Sequence, residues 1–409
     1  MNAPPTETLG SRRTVPDHVP ANLVHDFDIY EDEGIRRDLH REYSRLHREA
    51  PPIFWTPLNG GHWIVTRHDA IATVNLDTEH FSTREHEFPR VPDAPRFIPL
   101  HYDPPENMPY RKLLIPFFSP KAVKAMDAQI RAHAARLIDD VKDKGACEFI
   151  EDIAAPFPVK IFMTLMGLPL ERYDDFRGMV VDFFTSQGSD RMYEVIARIN
   201  GEIEALVADR RANPRDDLMT RIVNAEIEGR PIHDWELLNM TFLLLLGGLD
   251  TVTNMLTFTI HRLAQEPQLQ ERLLREPERM ADFVEEGLRL FGVVNTPRIV
   301  KKDVDLMGVP FRVDDMVMTA LPIAGWDDTA NPNPTVFDID RVDRKHLTFS
   351  TGAHLCLGHY LARTELKIFF STWMEKIGKF RLKPGQEFHY RGGTVMALES
   401  LELEWDVKG

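Results

Sequence analysis

Cysteine is nearly missing from this chain: Cys147 and Cys356 stand far apart in 409 residues. Two distant thiols supply neither a disulfide framework nor a four-ligand zinc set, and they suit a reducing compartment, so a cytoplasmic protein is expected. Long apolar runs are lacking too. The most apolar stretch, Phe242 to Leu249, meets Asp250, Thr251, Thr253 and Asn254, well short of the roughly 20 residues of a membrane span. It reads as a buried core helix. Positive charge is in deficit, with 49 Lys and Arg against 64 Asp and Glu and a net charge of −15. That balance repels nucleic acid and anionic lipid, so neither is expected as a partner. No repeat, low-complexity linker or Gly-rich nucleotide fingerprint is evident. The opening "MNAPPTETLGSRRTVPDHVP" has no apolar signal core, and its Pro and polar residues predict a disordered tail over 1–20 ahead of a single domain over 21–409.

What is present is mostly helical periodicity. Amphipathic stretches run from Ser119 to Lys144, Met192 to Ala212, Asp234 to Ala264 and Gln268 to Phe291, each predicting a helix. Asn59-Gly60 between two β-prone runs in Ile53 to Arg67 predicts a hairpin. A second β-rich patch spans Arg298 to Thr319, and "LELEWDV" reads as a last strand. The fold class is mainly α, an α+β arrangement with small sheets at the margin.

Three constellations carry chemistry. In "FSTGAHLCLG", residues 349 to 358, Cys356 lies between Gly352 and Gly358 and just before a helical stretch. Unpaired N–H groups at a helix start favour a thiolate and lower its pKa. A free cysteine is most often a small buried hydrophobe. His354, two residues away, is poorly placed as a base, which makes a thiolate metal ligand the better functional reading. Next, Glu286 and Arg289 in "VEEGLRLF" share one helix face. Such a pair is usually solvated, but Phe283, Val284, Leu288, Leu290 and Phe291 around it predict burial. Finally, Gly247 and Gly248 interrupt an apolar helix at a cost of about 1 kcal/mol each. Close helix packing or room for a planar cofactor would explain them, and Asp250-Thr251 then supply an acid and a hydroxyl.

Taken together, "FSTGAHLCLG", "EGLR" and "GGLDT" resemble, in order, the haem-binding, Glu-x-x-Arg and oxygen-activating motifs of the cytochrome P-450 family, and similarity to its camphor hydroxylase subfamily runs over nearly the whole chain. The resemblance implies the cytochrome P-450 fold, with haem b between a long central helix and the cysteine loop. It implies Cys356 as iron ligand in a loop shaped by Phe349, Gly352 and Gly358. Arg111, Arg298 and His354 would hold the propionates, and Gly247 and Gly248 would border the haem. Asp250 and Thr251 would relay protons for dioxygen activation. Glu286, Arg289 and Arg341 would form a structural network. Electrons would come from a [2Fe-2S] ferredoxin with an NADH-dependent reductase, docking on Arg111, Arg344, Lys345 and Arg363.

One departure bears on substrate. Camphor enzymes of the family carry a Tyr-Asp-Phe run whose tyrosine bonds the substrate ketone; here the stretch is Pro95-Arg96-Phe97, Leu100 replaces a threonine and Thr296 an aspartate. Loss of donors favours a small apolar substrate, terpenoid or norisoprenoid-like. The candidate pocket is Phe88, Phe97, Leu100, Phe183, Phe184, Leu243, Leu246, Val294, Thr394 and Val395. Alternatives are a peroxide-driven hydroxylase of the same fold and a non-catalytic haem-thiolate sensor.

Overall fold

A computed structural model describes residues 9–85, 88–90, 96–186, 189 and 191–407. The Asn-Gly hairpin forms as expected. Ile53–Thr56 pairs antiparallel with His62–Val65, placing Trp55 opposite Trp63. Asn59, Gly60 and Gly61 all take positive φ, and a Cβ on Gly61 would lie 2.5 Å from the Trp55 ring. The second β-rich patch extends this sheet: Met316–Thr319 runs parallel to His62–Val65 and antiparallel to Thr296–Val300, with Phe81–Ser82 at the far edge. The last strand, Glu402–Glu404, pairs with Ala146–Glu148 and Arg381–Leu382. Buried Cys147 lies in that small sheet, and burial holds its thiol well above the ordinary range, as befits an inert core residue.

Residues 9–20, expected within a disordered tail, are tied to the hairpin. Gly10 N–H donates to Asn59 Oδ1 at 2.8 Å, Arg13 N–H to Pro57 O at 2.8 Å, and His18 Nε2 lies 2.9 Å from Asp315. Residues 1–8 lie outside the described residues. Backbone pairing to a rigid turn offsets the ordering entropy that composition alone suggested would win.

The helices follow their periodicity with two breaks. Pro120–Asp139 starts on Ser119, whose Oγ accepts from Ala122 N–H at 3.3 Å. Arg191–Ala212 is continuous. The stretch predicted as one helix from Gln268 to Phe291 is Pro267–Arg275, a short turn Pro277–Arg279, and Met280–Leu290. Pro277 cannot donate to the preceding turn and biases Glu276 out of helical geometry. Asp234–Ala264 is broken at Asp250 into Asp234–Leu249 and Thr251–Ala264. This stretch is long and apolar enough to cross a membrane, and 61% of its most apolar window is buried inside the fold.

The helix after the thiol loop, His359–Lys376, packs most extensively against Pro120–Asp139. Trp373 anchors it among Phe149, Phe369, Phe380 and Trp405, contacts worth about 0.5–1.5 kcal/mol each beyond area burial.

Two buried histidines make stability pH-dependent. His40 donates Nε2–H to Gly292 O at 2.7 Å within a cage of Phe258 and Phe291, and burial pulls its pKa down to about 4 despite that bond. His62 lies against Phe88, and burial takes it to about 3. Both are protonated more readily in the unfolded chain. Their stabilisation is complete above about pH 6.5 and is lost as pH falls toward the folded values, each at about 1.4 kcal/mol per pH unit. Urea unfolding at pH 7 and pH 4.5 is expected to show this slope, and His62→Phe to flatten it by about one proton; an unchanged slope in the variant refutes the assignment.

Candidate active site

The thiol loop is closed by backbone. Cys356 N–H donates to Phe349 O at 2.9 Å and Ser350 N–H to Leu347 O at 2.7 Å. Gly352 sits at φ 69°, where a Cβ would press on Leu76 at 3.0 Å, so glycine is required. Gly358 has an ordinary φ of −79°. A Cβ at Gly358 would meet only Cys356 Sγ, at 3.9 Å.

The backbone N–H groups of Gly358 and His359, which opens the helix, donate to Sγ, and the Arg111 and Arg363 charges add to their effect. Desolvation outweighs them all and leaves the thiol raised, opposite to the direction expected from the helix start. Cys356 nonetheless exposes surface. Phe349 packs its ring under the Arg363 guanidinium at 4.6 Å.

Beside the loop, three basic groups converge. Arg298, 3% exposed on Thr296–Val300, donates among the described residues only to its neighbour Pro297 O, at 2.6 Å, and burial pushes its pKa down to about 10. Buried His354 lies 3.4 Å from Thr83 Oγ1; desolvation, then the charges of Arg298 and Arg111, bring it to about 4. Arg111, from Met108–Phe118, donates to Leu355 O at 2.6 Å. Among the described residues neither guanidinium has a carboxylate in ion-pair range. Asp103 acts on Arg298 from a distance and is itself paired with Lys301 at 3.2 Å. Leaving a buried guanidinium unpaired costs several kcal/mol, so the cluster is built for an anion.

At the helix break the two glycines divide the explanations offered for them. A Cβ on Gly248 would overlap the Phe162 ring of Pro156–Met166, which is close packing, whereas Gly247 has open space beside it. Thr251 Oγ1 donates to Gly247 O at 3.0 Å across the break. Asp250 accepts from Asn254 Nδ2 at 2.9 Å and lies 4.0 Å from Arg391; burial raises its pKa against the pull of Arg391, Asn254 and Arg177. A thiol, a buried cationic cluster and a backbone face opened by Gly247 fit a planar iron macrocycle bearing carboxylates.

The family model for cytochrome P450 matches residues 159–391. The chain belongs to the cytochrome P450 family. A probable cytochrome P450 127A1 of Sinorhizobium fredii is 35% identical over 402 residues, covering 96% of this chain and 97% of that protein. Steroid C26-monooxygenase of Mycobacterium tuberculosis is 31% identical over 350 residues, covering 84% and 87%. Among solved structures, CYP101J2 superposes with a TM-score of 0.89 at 36% identity, covering 96% of this chain and all of that one. CYP101C1 does so at 0.88 and 31%, with the same coverage. This P450 therefore has the P450 fold, binds haem b and is a monooxygenase.

Elsewhere in the P450 the expectations divide. Glu286 and Arg289 are fully buried. Arg289 Nε and Nη2 bond both Glu286 oxygens at 3.0 and 2.7 Å, and its remaining hydrogens reach Gly325 O, Pro334 O and Val336 O at 2.6, 2.8 and 3.0 Å. Arg341 Nε and Asp338 N–H also donate to Glu286 Oε1, at 3.2 and 3.0 Å.

The expected docking cations are less free than their charge suggested. Arg344 is 14% exposed, lies 3.6 Å from Glu286 and 3.3 Å from Asp282, and donates to Ile339 O at 2.6 Å. Arg363 grips Glu285 with bonds of 2.6 and 3.2 Å. Both are held by carboxylates of this chain, Arg344 largely buried and the Arg363–Glu285 pair partly exposed. Lys345 stays half-exposed, 3.8 Å from Asp343.

Of the pocket candidates, Phe97 and Phe183 pack around Phe242, with Phe97 stacked on Phe242 at 5.5 Å, and Phe184 sits edge-on to Phe183. Phe242 escaped the sequence reading because it sits in a run that looked like plain core. Leu246 is buried and Leu243 half-buried on the same helix. Val294 and Val395 form an isolated β-bridge. Phe184, Thr394 and Val395 line a cavity of about 390 Å³ that also takes in Tyr30, Arg36 and Arg391, a more polar rim than expected. Phe88 packs on His62, and Leu100 O accepts from Thr83 Oγ1 at 2.5 Å. Pro95 lies outside the described residues. Arg391, beside Asp250, was also missed; a lone arginine in "HYRGG" carries no signal until the chain folds.

Proposed function

We propose that this P450 hydroxylates an unactivated C–H bond of a small, mostly hydrocarbon substrate, terpenoid or norisoprenoid-like, using O2 and electrons from a [2Fe-2S] ferredoxin with its NADH-dependent reductase. The observation that carries the substrate reading is the aromatic group Phe97, Phe183, Phe184 and Phe242, of which Phe242 lies on the helix that opens at Gly247. Such walls select by shape, with few polar groups to reward a ketone.

In this reading Cys356 supplies the iron ligand, Phe349, Gly352 and Gly358 shape its loop, and Arg111, Arg298 and His354 hold the propionates. Bound haem supplies the oxygen-activating chemistry, which a thiolate ligand favours by pushing electron density toward O–O cleavage. Asp250 delivers protons. Its carboxyl is held toward its neutral form by burial and oriented by Asn254 and Arg391. Thr251 holds its hydroxyl at the open side of the helix break, where it can exchange its bond to Gly247 O for one to the reacting oxygen. Ferredoxin docking is carried by Arg111 and Lys345 with exposed Leu355 and Tyr360 beside the thiol loop. The setting is cytoplasmic in this reading, where two lone thiols stay reduced.

Asp250→Asn is expected to slow product formation by about 10²–10⁴-fold, the range of a lost positioned proton donor, and to enlarge the solvent isotope effect. A rate within a few-fold of wild type rules out the relay. Optical titration of ferric protein with ionones, monoterpenes and camphor tests the substrate. A high-spin shift with ionones but not camphor is expected, and tight camphor binding overturns the apolar reading. Turnover with ferredoxin and NADH, set against peroxide alone, separates this proposal from a peroxide-driven hydroxylase and from a sensor.

A further inference from the structure

The groove between helices Pro120–Asp139 and Pro156–Met166 encloses about 390 Å³ and contains no residue assigned to the haem site. On a protein of net charge −15, three basic side chains meet in it: His133, Arg136 and Lys160. The charges that act on His133 are those of Arg136 and Lys160, and no carboxylate is among them. Nor does either cation form an ion pair with a carboxylate among the described residues.

Neutral groups orient the two cations instead. His133 Nε2 lies 3.2 Å from Pro156 O, an acceptor only, so Nε2 carries the hydrogen. Nδ1 is then the lone-pair nitrogen, and it accepts from Arg136 Nη2 at 3.1 Å. Lys160 Nζ rests 5.0 Å from the Tyr173 ring centroid. Both contacts steer the cation without cancelling its charge. The helix dipole accounts for a cation at Arg136, in the last turn of its helix. It does not account for Lys160 in the interior of Pro156–Met166. Ile161 and exposed Leu170 add an apolar wall.

We propose that this groove binds a small amphiphilic anion, with its charged oxygens on Arg136 and Lys160 and its hydrocarbon against Ile161 and Leu170. The proposal is independent of the haem chemistry. The test is calorimetric titration of the haem-loaded protein with octyl phosphate below its micellar concentration, following the ferric Soret band in parallel. The R136Q/K160Q double variant is expected to bind at least about tenfold more weakly, the loss of a charge-assisted hydrogen bond or more. Thr164→Glu keeps both cations, adds a carboxylate at an exposed position in the groove, and is expected to weaken binding as much. Octanol and inorganic phosphate are expected to bind at least about tenfold more weakly than octyl phosphate, since each offers half the recognition. Equal affinity in wild type and both variants overturns the site. So does binding whose only signal is a Soret shift, which places the ligand at the haem. Inorganic phosphate binding as tightly as octyl phosphate overturns the amphiphile.

Discussion

Replacing Cys356 by serine is expected to abolish the red-shifted Soret band of the reduced, CO-bound protein and to lower hydroxylation at least about hundredfold. Changes one shell out from a metal ligand already cost about 10–100-fold, and this one removes the donor. Loop collapse does not explain such a loss, because the closing bond from Cys356 N–H to Phe349 O is backbone and survives the substitution. What changes is the atom that receives the Gly358 and His359 N–H groups and the nearby charges of Arg111 and Arg363. A hydroxyl in that setting has neither the polarisability nor the acidity of a thiol. The ferrous-CO spectrum of haem-loaded Cys356→Ser decides the matter: an unshifted band supports the ligand assignment, and a red-shifted band retained in the variant removes it.

Arg289→Leu is expected to cost about 3–5 kcal/mol and to yield protein that retains little haem, the range for breaking a buried pair from one side. An isolated buried ion pair is often replaceable by apolar residues, but this one is not isolated. Arg289 satisfies the carbonyls of Gly325, Pro334 and Val336, and Glu286 satisfies Asp338 N–H. A Glu286→Leu/Arg289→Leu double variant orphans Pro334 O and Asp338 N–H, while Gly325 O and Val336 O keep bonds from Asn331 and Arg341, and it is expected to be no better than the single one. The strain reaches the haem side through the segment that follows. Asn331 brackets Lys345 with two bonds of 2.8 and 3.1 Å, and Thr348 Oγ1 donates to Leu288 O at 2.5 Å, just ahead of Phe349 and the thiol loop. Guanidinium unfolding and haem content per protein measure both effects. Wild-type values in Arg289→Leu would show that the network locks nothing.

These two expectations differ in how far the sequence supported them. The thiol loop was legible residue by residue, because Gly352 and Cys356 act within one short segment where spacing is geometry. Glu286 and Arg289 were legible as a pair, since helical periodicity puts positions three apart on one face. Arg341 entered with the resemblance, but the further partners Gly325, Pro334, Val336 and Asp338 were not legible, because those contacts are main-chain groups that any residue supplies. The same limit explains Arg344 and Arg363. A positive charge near the thiolate in sequence reads as a free cation until folding shows Glu286, Asp282 and Glu285 already against it.

Sequence alone determined what is local. It specified the Asn-Gly hairpin, most of the helical stretches, the thiol between its glycines, the acid and hydroxyl after the glycine pair, and a net negative charge. Periodicity and turn chemistry act over a few residues and need no partner from afar. Only the tertiary structure decided which glycine packs and which opens, since that depends on Phe162 arriving from another helix. It also gathered Arg111, Arg298 and His354 from three separate segments, set Arg391 beside Asp250, and raised the Cys356 thiol that a helix start alone would lower. Each of these is a matter of burial or of charge across space, and both are fixed by what surrounds a residue after folding rather than by what flanks it in the chain.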